Sequence, residues 1–229
     1  MGKECKIKHV STFSLGNDRG FTLVELMITL AISGIIIGAI YGAYIAQQRT
    51  YLAQEDVAEM QQNIRAAMYI MANELRMAGY DENGDAGAGI KKTELSEIRF
   101  SADLNNDGDI IDDGEDITYR LYVSASDGKT KLGRVDHKGN DAAAPQAIAE
   151  NFDLLEFRYL DPQGGNTGTP ANASSVEITL IARANRPAKD YNNNGLTYNT
   201  PSGTSYPAIP LSDNVRRRLY TTTINLRNM

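Results

Sequence analysis

The chain has 229 residues, with 23 Lys+Arg against 29 Asp+Glu, a single cysteine and no tryptophan. That length suits one domain plus a long helix. The net charge of −6 makes the surface as a whole a poor partner for nucleic acid, and a lone cysteine excludes an internal disulfide.

Residues 1–20 are short and basic, carrying Lys3, Lys6, Lys8 and Arg19. An apolar run follows at once and continues to Ala46, interrupted by one charge, Glu25. A run of that length can span a bilayer as a helix. From Gln47 to Met77 the chain is polar-apolar mixed and free of proline. Val57, Met60, Ile64, Met68, Met71 and Leu75 recur there at spacings of three and four, one apolar helical stripe. Residues 21–77 therefore read as a single helix, greasy in its first half and amphipathic in its second. At ~1.5 Å per residue it would be roughly 85 Å long. Gly34, Gly38 and Gly42 fall on one face of the apolar half. Close helix–helix approach and the ordinary abundance of glycine in membrane helices both account for them. Glu25 needs a partner or a function inside a bilayer, unless it lies near enough to the edge to stay hydrated.

The stretch Gly20-Phe21-Thr22-Leu23-Val24-Glu25-Leu26 resembles the class III signal of type IV prepilins and type II secretion pseudopilins. The resemblance implies that a prepilin peptidase cuts between Gly20 and Phe21 and methylates the new amino terminus on Phe21. It implies that Glu25 pairs with the N-terminal amine of a neighbouring subunit, and it favours a packing role for Gly34, Gly38 and Gly42. An ordinary secretory signal has its apolar core before the cut. Here the core lies after it, so processing leaves the anchor attached, with the basic leader cytoplasmic and the rest exported. Without residues 1–20, which hold four basic and two acidic residues, 19 Lys+Arg remain against 27 Asp+Glu, a net of −8. Cys5 leaves with the leader. Many major pilins close a C-terminal loop with a disulfide and carry a proline in the helix; this chain has no proline before Pro145. Glycines can supply some of that flexibility.

After Ala78-Gly79 the helix should stop, glycine being a common C-terminal breaker. Residues 79–96 read as a Gly- and Asp-rich loop. The period then changes to two, with strands expected at Ile98–Ser101, Ile117–Ser124, Lys131–Val135, Phe152–Leu160, Val176–Ala184 and Leu219–Leu226. The expected fold class is α+β and pilin-like. It has a leader (1–20), a transmembrane or filament-core half of the helix (21–46), an amphipathic half (47–78) and a β-rich head (79–229). The head's mostly antiparallel sheet would lie over the amphipathic half. Between Asn185 and Val215 a long polar stretch with Pro187, Pro201, Pro207 and Pro210 reads either as a partner surface or as plain disorder.

Asp103-Leu104-Asn105-Asn106-Asp107-Gly108-Asp109 matches the first half of an EF-hand-type calcium loop. Oxygen ligands from Asp103, Asn105, Asp107, Asp109 and Asp112 could converge on one cation, with Gly108 allowing the sharp turn. The twelfth position, which should be a bidentate glutamate, is Gly114, and strands rather than helices flank the loop. Calcium and a plain acidic hairpin turn both remain open, and no cofactor is required. Asp190-Tyr191-Asn192-Asn193-Asn194-Gly195 repeats the spacing with fewer charges and reads as a turn. Catalysis finds little support: there is no Gly-x-Ser-x-Gly and no His-Glu-x-x-His, and His137 reads as a solvated turn residue. Gly84 to Lys91 lacks the ending of a phosphate loop and reads as a flexible connector. The tyrosines are spread out and read as core or rim packing. Arg216-Arg217-Arg218 reads as either a charged strand start or a subunit contact.

The segment Asn73-Glu74-Leu75-Arg76-Met77-Ala78-Gly79-Tyr80 and the closing stretch from Arg216 to Asn228 resemble PilW-type minor pilins, and the former also J-type minor pseudopilins. That resemblance implies a non-enzymatic subunit of a type IV pilus tip or priming complex. It would wait in the bacterial inner membrane with its head in the periplasm, then reach the cell surface in the pilus. Its partners would be the prepilin peptidase, other minor and major pilins, the inner-membrane assembly platform and the membrane itself. A pseudopilin of a secretion system and a membrane-anchored calcium- or ligand-binding adhesin head are the alternatives.

Overall fold

The computed structural model describes residues 20–229 except 170, 171, 190 and 209–211. The leader over residues 1–19, and Asp190 of the second acidic turn, lie outside the described residues. The chain divides into two compact units, Met1–Thr50 and Tyr51–Met229. The boundary falls inside the helix and not at residue 78, because the second half of the helix is built into the head's own core.

Helix α1 runs Leu23–Leu75. In the first unit its side chains are exposed almost throughout, Ile45 alone being half-buried. Apolar character without burial is the opposite of a soluble core helix, and an 18-residue window here has mean hydropathy 2.3.

In the second unit α1 buries Asp56, Met60, Ile64, Ala67, Met68, Met71 and Leu75. This is the expected stripe with one correction: Val57 is only half-buried, and the inward position one residue earlier is Asp56, held by Arg186 Nε at 2.9 Å. A carboxylate can sit on the packed face there because a guanidinium from the 185–215 stretch reaches it. The helix ends as glycine chemistry dictates. Met77 N and Ala78 N donate to Glu74 O and Leu75 O, tightening the last turn, and Gly79 takes φ +77°. A Cβ at Gly79 would lie 2.7 Å from Asn228 O, so glycine is required there for space as well as for backbone conformation.

Ten strands follow: β1 (Ile90–Thr93), β2 (Glu97–Ser101), β3 (Asp116–Val123), β4 (Thr130–Asp136), β5 (Gln146–Glu150), β6 (Phe152–Leu160), β7 (Ser175–Arg183), β8 (Tyr198–Asn199), β9 (Ser205–Tyr206) and β10 (Arg217–Asn225). The α+β expectation holds, and every named pairing is antiparallel. The strands form three sheets instead of one: a five-stranded meander β1-β2-β3-β4-β5, a three-stranded sheet β10-β7-β6 and the small β8-β9 pair. All six expected strands exist within two residues of their bounds. Four were not foreseen. β1 (Ile-Lys-Lys-Thr) lies in the stretch read as loop, β5 is weakened by two alanines, and β8 and β9 are two residues long.

One apolar cluster joins helix and sheets. Met71 and Leu75 of α1, Ile98, Tyr119 and Leu132 of the meander, and Phe157, Ile178 and Leu180 of the second sheet all belong to it. Phe157 N also donates to Leu95 O at 2.7 Å, tying β6 to the turn before β2.

Candidate functional site

The expected processing junction, Gly20-Phe21, lies within the first unit. Gly20, Phe21 and Thr22 precede the helix and are non-helical, and Phe21 is 86% exposed. A peptidase needs accessible, non-helical backbone at its bond, and Gly20 and Phe21 are both exposed and outside the helix. Helix formation begins two residues later for a local reason. Glu25 N donates to Thr22 Oγ1 at 3.2 Å, while Thr22 N donates back to Glu25 Oε2 at 3.3 Å. This reciprocal pair is a capping box, and it meets two of the helix's otherwise unpaired N–H groups. Glu25 thus has a role in its own helix, at the end where the peptide dipoles favour negative charge. Gly34, Gly38 and Gly42 lie further along the same unit, and a Cβ at any of them would meet nothing within 4 Å. The described residues therefore give no steric reason for glycine at these positions.

The acidic loop lies in the second unit, between β2 and β3. The five residues expected as ligands do not converge together. Asp103 is fully buried and turned into its own loop, accepting from Asn106 N at 2.7 Å and Gly108 N at 3.1 Å. Asn105 directs its amide Nδ2 at Asp107 and Asp112, at 2.9 and 2.7 Å, and so presents a donor and not an oxygen. What does converge is Asp107, Asp109 and Asp112, each with one oxygen within 4.8 Å of the others and each exposed. A second carboxylate group, Asp81, Asp85 and Asp103, brings the stretch after the helix against this loop. Asp81 is far from a flexible linker's residue: it accepts from Gly84 N at 2.7 Å and Gly87 N at 3.0 Å.

Three other expectations change. His137 is buried, not solvated, with Nε2 at 2.8 Å from Thr118 Oγ1 and Nδ1 at 3.3 Å from Asn140 O. Neighbouring charges on Asp136 and Lys138 suggested a surface position, but Asp136 is itself largely buried, accepting from Gly114 N and Arg134, and only Lys138 points outward. Tyr119 and Tyr159 are core and Tyr80, Tyr122, Tyr191, Tyr198 and Tyr206 half-buried, whereas Tyr41, Tyr44, Tyr51 and Tyr69 stand exposed and pack as neither core nor rim. The 185–215 stretch carries β8 and β9 and is pinned to the head by Arg186, by Ser202 Oγ donating to Glu156 at 2.6 Å, and by Tyr198 OH donating to Arg217 O at 3.2 Å. Two of the three arginines, Arg216 and Arg217, are likewise used internally. Arg217 binds Asp153 and Asp213, and Arg216 lies 4.6 Å over the Tyr191 ring.

Sequence patterns gave no sign of the polar group that fastens α1 to the meander. Glu74 accepts from Tyr119 OH and from Arg134 Nε at 3.0 Å, and Arg134 reaches Asp136 at 3.3 Å. Burial, then the Glu74 charge, push the Tyr119 phenol well above its usual range. Burial would lower the Arg134 guanidinium, but Glu74 and Tyr119 outweigh it and hold it above its ordinary value. Partners 45 and 60 residues apart leave no local signature.

The prokaryotic N-terminal methylation motif matches residues 15–41, the interval that contains the exposed junction, the capping box and the start of the apolar helix. The chain carries the prokaryotic N-terminal methylation motif. The prepilin motif places processing by a peptidase and association with other pilins among its expected properties, and the apolar helix behind it fits membrane anchoring. A type IV-like pilin from Thermus thermophilus is similar at 15% sequence identity and a TM-score of 0.45, over 73% of this chain and 97% of that one. At that distance the likeness carries no argument. No curated protein matches the chain.

Proposed function

We propose that the chain is a minor pilin of a type IV pilus, of the PilW kind, cut after Gly20 and incorporated into the tip or priming complex from which the filament grows. The observation that carries this reading is the first unit. A methylation motif contains an exposed junction and the start of an apolar helix that none of the described residues covers. Such a surface requires lipid or neighbouring helices. In the inner membrane it is the anchor, with the head in the periplasm; in the filament it packs against other subunits, and Glu25 meets a neighbour's N-terminal amine. No chemistry on a substrate is assigned, and the role is structural. The test is intact mass and N-terminal sequencing of the protein made with and without a prepilin peptidase. The expected product begins with N-methylated Phe21 and depends on the peptidase. An uncleaved chain, or one cut elsewhere, removes the assembly argument. A J-type pseudopilin of a secretion system shares every one of these steps, and the companion genes beside this one distinguish the two.

A second reading concerns the acidic loop and is supported by the convergence of Asp107, Asp109 and Asp112. Under it these carboxylates hold a calcium ion with water completing the shell, since hard cations take oxygen ligands and tolerate variable geometry. Calcium at millimolar concentration is then expected to raise the melting temperature of the full chain in detergent, and Asp109→Asn to abolish the rise. An unchanged wild-type melting temperature removes calcium from the account and leaves a solvated acidic turn.

A further inference from the structure

The apolar helix of the first unit is bracketed by two polar collars. On one side is the capping box of Thr22 and Glu25. From Leu26 to Ile40 only Thr29 and Ser33 carry polar groups, and Thr29 Oγ1 donates at 2.9 Å to Leu26 O within the helix. On the other side come Tyr41 and Tyr44, 64% and 59% exposed, followed by Gln47, Gln48 and Arg49. Among residues 20–50 the aromatic side chains are Phe21, Tyr41 and Tyr44, so every one of them stands at an end of the apolar run. Three residues apart on a helix, the two tyrosines share one side.

We propose that the bilayer's far face crosses α1 at Tyr41 and Tyr44, whose phenols lie in the phospholipid headgroup layer. The inference rests on the anchoring half of the proposed function and adds a depth to it. Helix geometry decides the spacing. Glu25 and Tyr41 are about 24 Å apart along the axis and Thr22 and Tyr44 about 33 Å, at ~1.5 Å per residue. Those two separations bracket a hydrocarbon core of about 30 Å. A phenol suits this layer because its ring is apolar and its hydroxyl seeks a hydrogen bond, and tyrosine concentrates at membrane–water boundaries for that reason. The polar boundary then begins at residue 41, not at 46, where apolarity alone ends the run. The capping box falls at the opposite face, where water can reach the Glu25 carboxylate and the cost of a charge in the membrane is largely avoided.

The chain has no tryptophan, so a single introduced one is the sole indole reporter. Four full-length variants, Ile32→Trp, Tyr41→Trp, Tyr44→Trp and Gln48→Trp, are reconstituted into phosphatidylcholine vesicles whose acyl chains are brominated either near the glycerol or near the methyl end. All four positions are exposed, so no core is disturbed. The indole at 32 should lose most emission to the deep bromines, those at 41 and 44 more to the shallow than to the deep, and that at 48 little to either. Quenching at 41 and 44 that follows the depth profile of 32 overturns the inference, as does quenching no greater than at 48. Absence of quenching at 32 overturns the anchoring reading itself.

Discussion

Arg217→Ala should lower the unfolding free energy of the full chain in detergent by about 3 kcal/mol, because it breaks a buried ion cluster by removing the shared cation. The Arg217 side chain is 4% exposed and Asp153 9%. Its Nε donates to Asp153 Oδ2 at 2.6 Å, and its two terminal nitrogens donate to the two oxygens of Asp213 at 2.8 and 2.7 Å. Truncation leaves Asp153 facing Arg183 Nε at 3.5 Å, a poor substitute in a desolvated place. Arg217→Lys keeps the charge but loses the fork and should recover only part of the loss. Chemical denaturation read by tyrosine fluorescence measures all three, and a loss below about 1 kcal/mol for Arg217→Ala would contradict this account. The pH dependence has a definite sign. Arg217 holds the Asp213 carboxyl below its ordinary value of 3.8, so its contribution is present above about pH 4 and is lost as pH falls below that. The alanine variant should show a shallower acid limb.

Met71→Ala should cost about 3 kcal/mol by the same measurement, through cavity formation rather than charge. Met71 is 0% exposed and sits where α1, the meander and the β10-β7-β6 sheet meet. The strands of this cluster are held in hydrogen-bonded sheets and cannot collapse far into the space. Met71→Leu, which nearly conserves volume, should stay within about 1.5 kcal/mol of wild type. Tyr69→Ala is the internal control: at 70% exposure its removal should change stability by less than about 0.5 kcal/mol. Equal losses at 69 and 71 would mean that the packed face of the helix has been assigned wrongly.

Local physics made the helix readable. Its apolar run, its amphipathic stripe and the glycine stop at 79 each depend on residues within a few positions of one another, and they came out nearly as expected. The six strands with clear period-two patterns did too. The rest depends on pairings across long stretches of chain. β5 is a strand because β4 lies beside it, not because Gln-Ala-Ile-Ala-Glu favours one. Asp56 lies on the packed face because Arg186, 130 residues later, reaches it. At the acidic loop the ligand spacing was visible, but the orientation of Asn105 was not, since a half-turn of its side-chain amide decides whether oxygen or nitrogen faces its neighbours. The helix start was legible too, because the Thr22–Glu25 capping box acts through adjacent backbone and needs no distant partner.

The uncovered helix of the first unit has a thermodynamic corollary. Lipid tails and the apolar flank of another helix are nearly equivalent solvents for Leu, Ile and Val, so moving this helix from a bilayer into a helical bundle gains little from the hydrophobic effect. The transfer is close to balanced over some twenty side chains and is tipped by a few atoms that do distinguish the two surroundings. Under the proposed assembly these would be the Glu25 carboxylate, exchanging hydration for a neighbour's amine, and the backbone at Gly34, Gly38 and Gly42, which another helix could approach more closely than a lipid chain. A helix built this way is reversible by composition, able to leave either environment at small cost.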